Sequence, residues 1–226
     1  MKKNYVSFNK MERIIQLMTD KIKEKDICNS HSLEHMINVL NHAIRAVKTE
    51  DIPEEIAEAI KLAALLHDMD DKKLFNTTNY SNAREILGDH PHKELIIEMI
   101  SLVSMSENKD STTDQEWKLI PRYCDRLEAI GEIGIERCLQ YARTIGNPMH
   151  TENTLKAYTE EDLKLIVTKE RYENYNGKSV SVIDHFYDKL LHISFPINNR
   201  YIKEIARFRL NIMSEFVLNY WNNQKI

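Results

Sequence analysis

The sequence predicts an all-α fold, and three observations lead there. Its 226 residues include only five Gly and five Pro, too few turn formers for an all-β fold of many hairpins. Apolar residues recur with the 3.6-residue period of a helix along most of the chain. No internal repeat, low-complexity block or flexible linker interrupts them, so one domain over residues 1–226 is expected. A hydrophobic fraction of 42% can fill its core, and 29% charged residues is ordinary for a soluble protein.

Taken in order, "YVSFNKMERIIQLMTDKIKEK" places Ile14, Leu17, Met18 and Ile22 on one face of a first helix. After the turn "DICNSHS", a second helix runs from about Leu33 to Val47 with Ile37, Leu40, Ile44 and Val47 as its main stripe. The third opens at "DIPEEIAEAIKLAALLHD", where Pro53 and the acids Glu54 and Glu55 suit a first turn. Its stripe of Ile56, Ile60, Ala63 and Ala64 leads to His67 in phase. The polar loop "NTTNYSN" precedes a shorter helix ending near Leu87 and Gly88. "HKELIIEMISLVSM" is again helical, and "SENKDSTTDQE" is a loop.

"EWKLIPRYCDRLEAIGEIGIERCLQYAR" is expected to be helical around Leu127, with Pro121 near its start or at a kink. Gly131 and Gly134 would then lie inside a helix, where each costs about 1 kcal/mol relative to Ala; close helix packing would explain them. Residues 144–181 are the least regular part. Two closing helices follow, "VIDHFYDKLLHI" with Ile183, Phe186, Leu190 and Ile193 in phase, and "RYIKEIARFRLNIMSEFVLNYW". The apolar side of the last one could bury itself in the core or against a second copy of the chain, making a homodimer.

Charge and composition exclude several functions. Thirty-one basic against thirty-five acidic residues give a net charge of −4 with no basic run, so a surface dedicated to duplex nucleic acid is not expected. Cys28, Cys124 and Cys138 are an odd number without CxxC spacing and read as reduced thiols. The opening "MKKNYVSFNKMERI" lacks the apolar run of a signal peptide. No apolar stretch approaches the roughly 18–20 residues that span a bilayer. A cytoplasmic protein without a membrane partner is expected.

Polar groups at the end of the apolar run "AALLHDMDD" raise the question of function. His35 stands two residues into the second helix, His67 and Asp68 end the third, and Asp125 sits in "YCDRLEAIG". Asp125 lies in line with Ala129 and Ile133 at i+4 spacing and should lean inward. A buried carboxylate needs a partner, and a divalent cation would satisfy two imidazoles and two carboxylates together. Mixed nitrogen and oxygen donors suit Mn, Fe, Co, Ni or Mg rather than a closed zinc–thiolate site. Taken alone, a His-Asp pair ending a helix is more often a cap or a buried hydrogen bond.

The whole set changes that balance. His35, then "LLHD", then "CDRLEAIGEIGIER" resemble, in that order, the H…HD…D pattern of the HD-domain metal-dependent phosphohydrolases. The similarity is greatest to a small bacterial-type branch with an "SHxxxH" opening and a "DADRLDAIGAIGIAR" segment. Here these read "SHSLEH" and "CDRLEAIGEIGIER". "VIDHFYDKLL" resembles that branch's "INHFYEKLL", and "KEIARFRLNIMSEFV" its final helix. The resemblance runs from about residue 12 to 220, and covers residues 140–180 poorly. Two departures stand out: Asn38 where the family usually has Arg, and Glu128 where it has Asp.

The resemblance implies a multi-helix HD domain with one divalent ion between helices, held by His35, His67, Asp68 and Asp125. Asp71, one turn past His67, matches the family's "HDxxD" and would position the attacking water or protonate a leaving oxygen; a solvated acid at a helix end is an equal alternative. Lys73 matches a lysine that would hold a phosphate oxygen, and His31 a histidine contacting phosphate or a ligand. Asp70 is assigned to solvent. Arg126 and Arg137 are expected to pair within the fold, and His90 and His92 to mark an exposed helix start.

The implied reaction is hydrolysis of a phosphoester or phosphoanhydride by metal-bound hydroxide. A small phosphate substrate is implied, of the nucleotide class, including nucleoside triphosphates cleaved to a monophosphate and pyrophosphate. A nucleoside-monophosphate phosphatase, a cyclic-nucleotide phosphodiesterase and a non-catalytic nucleotide- or metal-binding regulatory module stay open beside it. Tyr80, Tyr158, Tyr172 and Tyr175 could stack on a base or simply pack.

Overall fold

A computed structural model describes residues 3–23, 33–72, 74–104, 108 and 111–224, residues 3–10 as helical backbone only. Every regular element among the described residues is helical. The α-helices are α1 (Lys3–Lys23), α2 (Leu33–Val47), α3 (Glu54–Leu66), α4 (Ser81–Leu87), α5 (Lys93–Ser101), α6 (Ile120–Leu127), α7 (Gly131–Ile145), α8 (Glu160–Ile166), α9 (Lys169–Glu173), α10 (Val182–Asp188) and α11 (Arg200–Asn222). Short 3-10 turns occupy Glu116–Leu119 and Leu190–His192. No helix among these residues is long and apolar enough to cross a membrane. The chain divides into two compact units, Met1–Asp125 with Ile197–Asn199, and Arg126–Pro196 with Arg200–Ile226.

The first unit is built on α3. Ala57, Ala59, Ala63 and Ala64 are buried along it, and such small side chains let neighbouring backbones approach. α2 and α5 pack against it. Ile14 and Met18 of α1 are buried as expected. The inward face of α2 keeps half of the expected stripe: Leu40 and Val47 are buried with Met36, Val39, Ala43 and Ala46, whereas Ile37 and Ile44 are half-buried. Ile56 of α3 is likewise half-buried. The returning segment is anchored by Asn199, whose side-chain amide donates to Ala46 O and Thr49 Oγ1 at 3.0 Å each, and to Glu50 Oε1 at 2.6 Å.

The single helix expected around Leu127 is broken. α6 ends there and α7 begins at Gly131, whose φ of +74° belongs to the left-handed region. Gly131 therefore opens a helix rather than lying within one. The break is pinned by arginines that reach carbonyls which a helix end leaves open. Arg209 bonds Leu127 O and, at 3.0 Å, Glu128 Oε1, while Arg137 donates to Glu128 O at 3.1 Å. Arg126 donates to Ser194 O at 3.0 Å. The buried Glu128 is thus a structural anchor of the second unit.

In that unit α7, α10 and α11 pack together. Ile183, Phe186, Leu190 and Ile193 are all buried, as their spacing predicts. α11 buries Ile202, Ala206, Met213, Val217 and Trp221 along one side. The irregular 144–181 segment holds two short helices started by Thr159 and Thr168, whose side chains accept the first-turn N–H groups of Asp162 and Arg171. Arg171 ties it to α10 through ion pairs with Asp184 and Asp188.

Candidate metal centre

Three helical segments of the first unit bring two histidines and two aspartates together. His35 comes from the first turn of α2, His67 and Asp68 from the turn closing α3, and Asp125 from α6. His35 Nε2 lies 3.2 Å from Asp125 Oδ1 and 3.7 Å from Asp68 Oδ2. His67 Nε2 lies 3.4 Å from Asp68 Oδ1 and 3.6 Å from Asp125 Oδ1. One ligand atom from each of His35, His67 and Asp68 falls within 4.8 Å of the other two. The two rings meet edge to face, centroids 5.2 Å apart.

His67 shows what this arrangement requires. Its Nδ1 lies 2.9 Å from Ala64 O; a carbonyl only accepts, so Nδ1 carries a proton and Nε2 is free to hold a lone pair. That Nε2 is buried, makes no hydrogen bond, and faces two carboxylate oxygens. Acceptors facing acceptors repel, so a positive charge must lie among them. Without an ion the charge is a proton. Burial alone would lower the His67 pKa, but Asp68 and Asp125 outweigh it and raise the value to about 9. Burial pushes the Asp125 carboxyl upward, and the neighbouring His35 and His67 imidazoles bring it well below the usual carboxylate range.

A divalent ion fits the same place better than a proton does. Donors each about 2.1 Å from one ion lie about 3 Å or more apart, near the spacings observed, whereas 3.4–3.6 Å is long for a hydrogen bond. The Ala64 contact is the kind of outer partner that fixes the tautomer of a metal-binding histidine. The inward lean of Asp125 holds, although the i+4 argument for it does not: α6 stops at Leu127, and Ile133 is 37% exposed.

The remaining candidates are placed as follows. Asp71 is half-buried, its N–H donating to Asp68 O at 3.2 Å, one turn beyond the cluster and outside it. His31 and Lys73 lie outside the described residues. Asp70 requires correction, since it is not a solvated acid: its carboxylate accepts the N–H groups of Asn82 and Ala83 at the start of α4. That partner is twelve residues on, so only tertiary structure reveals it. His90 is also not exposed; it is buried, accepting the His92 N–H on Nδ1, with Nε2 3.8 Å from Glu58. Tyr172 stacks on His192 and Tyr175 tilts against His185, so both pack within their own unit.

No protein-family model matches the chain. Uncharacterized protein L803 of Acanthamoeba polyphaga mimivirus is 41% identical over 213 residues, covering 84% of this chain and 88% of that protein. Two solved structures share its helical architecture. An HD-superfamily hydrolase from Bacillus thuringiensis superimposes with a TM-score of 0.65 at 22% identity, covering 95% of this chain and 98% of that one. YpgQ of Bacillus subtilis, solved in complex with ADP, gives 0.64 at 19% identity over 95% and 96% of the two chains. These likenesses show an HD-type fold.

Proposed function

This chain belongs to the family of the mimivirus protein L803, and from that family and its HD-type fold we propose that it is a divalent-metal-dependent phosphohydrolase acting on nucleotides. The observation that carries the proposal is the buried His67 Nε2, aimed with no hydrogen bond at the oxygens of Asp68 and Asp125. His35, His67, Asp68 and Asp125 would hold the ion. The proposal takes residues 1–226 as one HD-type domain, supported by relatives that match 84–95% of it.

Bound there, a divalent ion would lower the pKa of water and neutralise charge on phosphate oxygens. The protein's own groups do the rest. Ala64 O keeps the His67 ring oriented, and the two carboxylates would hold the cation. Asp71, one turn along, would position the attacking water or protonate the leaving oxygen, with His31 and Lys73 as phosphate contacts. The ADP bound to YpgQ supports a nucleotide as the substrate class.

The test is elemental analysis of protein purified without a histidine tag, followed by a screen of nucleoside tri-, di- and monophosphates with Mn or Ni. One ion per chain and release of pyrophosphate from a triphosphate are the expected results. Release of orthophosphate from monophosphates alone would move the reaction to a phosphatase, and a chain that takes up no ion on titration would sink the hydrolase.

Proton release gives a second check. With a pKa of about 9, His67 of the ion-free site holds an extra proton at pH 7, which an incoming ion must displace. Calorimetry in buffers of different ionisation enthalpy should therefore show about one proton released per ion at pH 7, and apparent affinity should rise toward pH 9. The ion-free fold should respond in the opposite sense. The raised His67 value stabilises it fully below about 6.5, and that contribution is lost as pH climbs through 9.

A further inference from the structure

Asp70 and Asn82 join two segments that the local sequence does not connect. The Asp70 carboxylate accepts the Asn82 N–H at 3.0 Å on one oxygen and the Ala83 N–H at 2.9 Å on the other. It thereby satisfies two of the donors that α4 leaves open at its start. In return the Asn82 side-chain amide donates to Met69 O at 2.8 Å. The arrangement is reciprocal: the turn after His67 and Asp68 caps α4, and α4 holds a carbonyl of that turn.

α4 is itself held on its other side. Asn79 and Tyr80, just before it, have φ of 53° and 55°, a left-handed conformation that asparagine tolerates but that costs a residue such as tyrosine free energy. Arg84 bonds this segment. Its Nε donates to Asn79 O at 3.0 Å, and its two terminal nitrogens bond Glu94 at 2.6 and 2.8 Å. The end of α4 facing Met69 and Asp70 is therefore a fixed point.

From this geometry we infer that Asp70 and Asn82 are positioning residues for the metal centre, setting where the side chains of His67 and Asp68 stand. The inference rests on the proposed metal site. α3 ends at Leu66, so Asp68 is already past the regular helix, in a turn held by Met69 N–H to Leu66 O at 3.1 Å and Asp71 N–H to Asp68 O at 3.2 Å. A ligand set works only when held to within about 0.5 Å. The buried α3 anchors Asp68 from before, and the clamp at 69–70 anchors it from after.

The test is Mn2+ affinity of the full chain, measured by calorimetry beside thermal melts. Asn82→Ala changes no charge and should bind Mn2+ about 10-fold more weakly or worse, the scale seen when partners of metal ligands are lost. Asp70→Ala should be at least as weak. Asp70→Asn keeps one oxygen acceptor and should fall between it and wild type. Thr159→Ala removes a cap of the same kind from α8, in the other unit, and should lower the melting temperature yet bind Mn2+ as wild type does. If Asn82→Ala fails to fold, Asn82→Ser carries the same reading.

Weakened binding in Asn82→Ala with wild-type affinity in Thr159→Ala supports the clamp. Wild-type affinity in Asn82→Ala overturns it, including where both Asp70 variants bind equally weakly, since that pattern reports only the charge of Asp70. A wild-type chain that takes up no Mn2+ instead overturns the metal centre, and the positioning role falls with it.

Discussion

Asp68→Ala is expected to take up no divalent ion and to lose hydrolysis by roughly 10³-fold or more. Its oxygens stand 3.4 Å from His67 Nε2 and 3.7 Å from His35 Nε2, so it is the carboxylate that faces both rings from the chain segment of His67 itself. Removing it leaves two imidazoles and one acid, too little negative charge to hold a strongly hydrated divalent ion. Stabilisation of phosphate charge by the ion is worth several kcal/mol, and each 1.36 kcal/mol is tenfold in rate. The substitution also removes the first of the raising influences on the His67 pKa, so less of the ring is protonated at pH 8. Elemental analysis and Mn2+ titration check the ion, a nucleotide-hydrolysis assay the rate and imidazole NMR the His67 proton, with circular dichroism confirming that the variant folds. One ion per chain at wild-type affinity in a folded Asp68→Ala would mean that the assignment of ligands is wrong.

Part of this centre is legible in the sequence: helical phase reaches His67, while the set of His35, His67, Asp68 and Asp125 stands out by its order, which resembles the H…HD…D pattern. The expected bounds of α2, Leu33 to Val47, are those observed, and His67 follows from the buried run of α3. What fails is rotation about a helix. Ile37 and Ile44 look like core beside Met36, Val39 and Ala43, and the pattern cannot say which of these neighbouring faces turns inward. The end of α6 fails for another reason: no Pro or polar cluster marks it, and a glycine that opens a helix looks in sequence like one inside it. Asp70 fails because its partners belong to α4. By contrast, α8 carries a readable signal in "TEED", where Thr159 and Asp162 form a capping box.

Gly134 turns that lesson into a prediction with a definite sign. In the middle of a helix, replacing Gly by Ala ordinarily stabilises by about 1 kcal/mol. Here a Cβ would stand 2.3 Å from Ala129 O and 2.5 Å from Ala129 C, so Gly134→Ala is expected to destabilise by about 3 kcal/mol, at the upper end of ordinary overpacking. The obstacle is backbone, not another helix, which corrects the packing explanation offered by the sequence. It also cannot swing aside. Ala129 lies between the end of α6 and the start of α7, where Ala129 N–H bonds Arg126 O at 3.1 Å and Arg137 and Arg209 hold the neighbouring carbonyls. Gly131 differs, since its φ of +74° already favours glycine, and a Cβ there would meet the stem of Arg209, 2.8 Å from Cγ and 3.1 Å from Cβ. A loss of 3 kcal/mol corresponds to a fall of about 6–12 °C in melting temperature for a chain of this size, which thermal melts of the variant resolve easily. A rise instead would show that the turn at Ala129 yields, and that helix propensity rather than the fixed carbonyl decides the residue at 134.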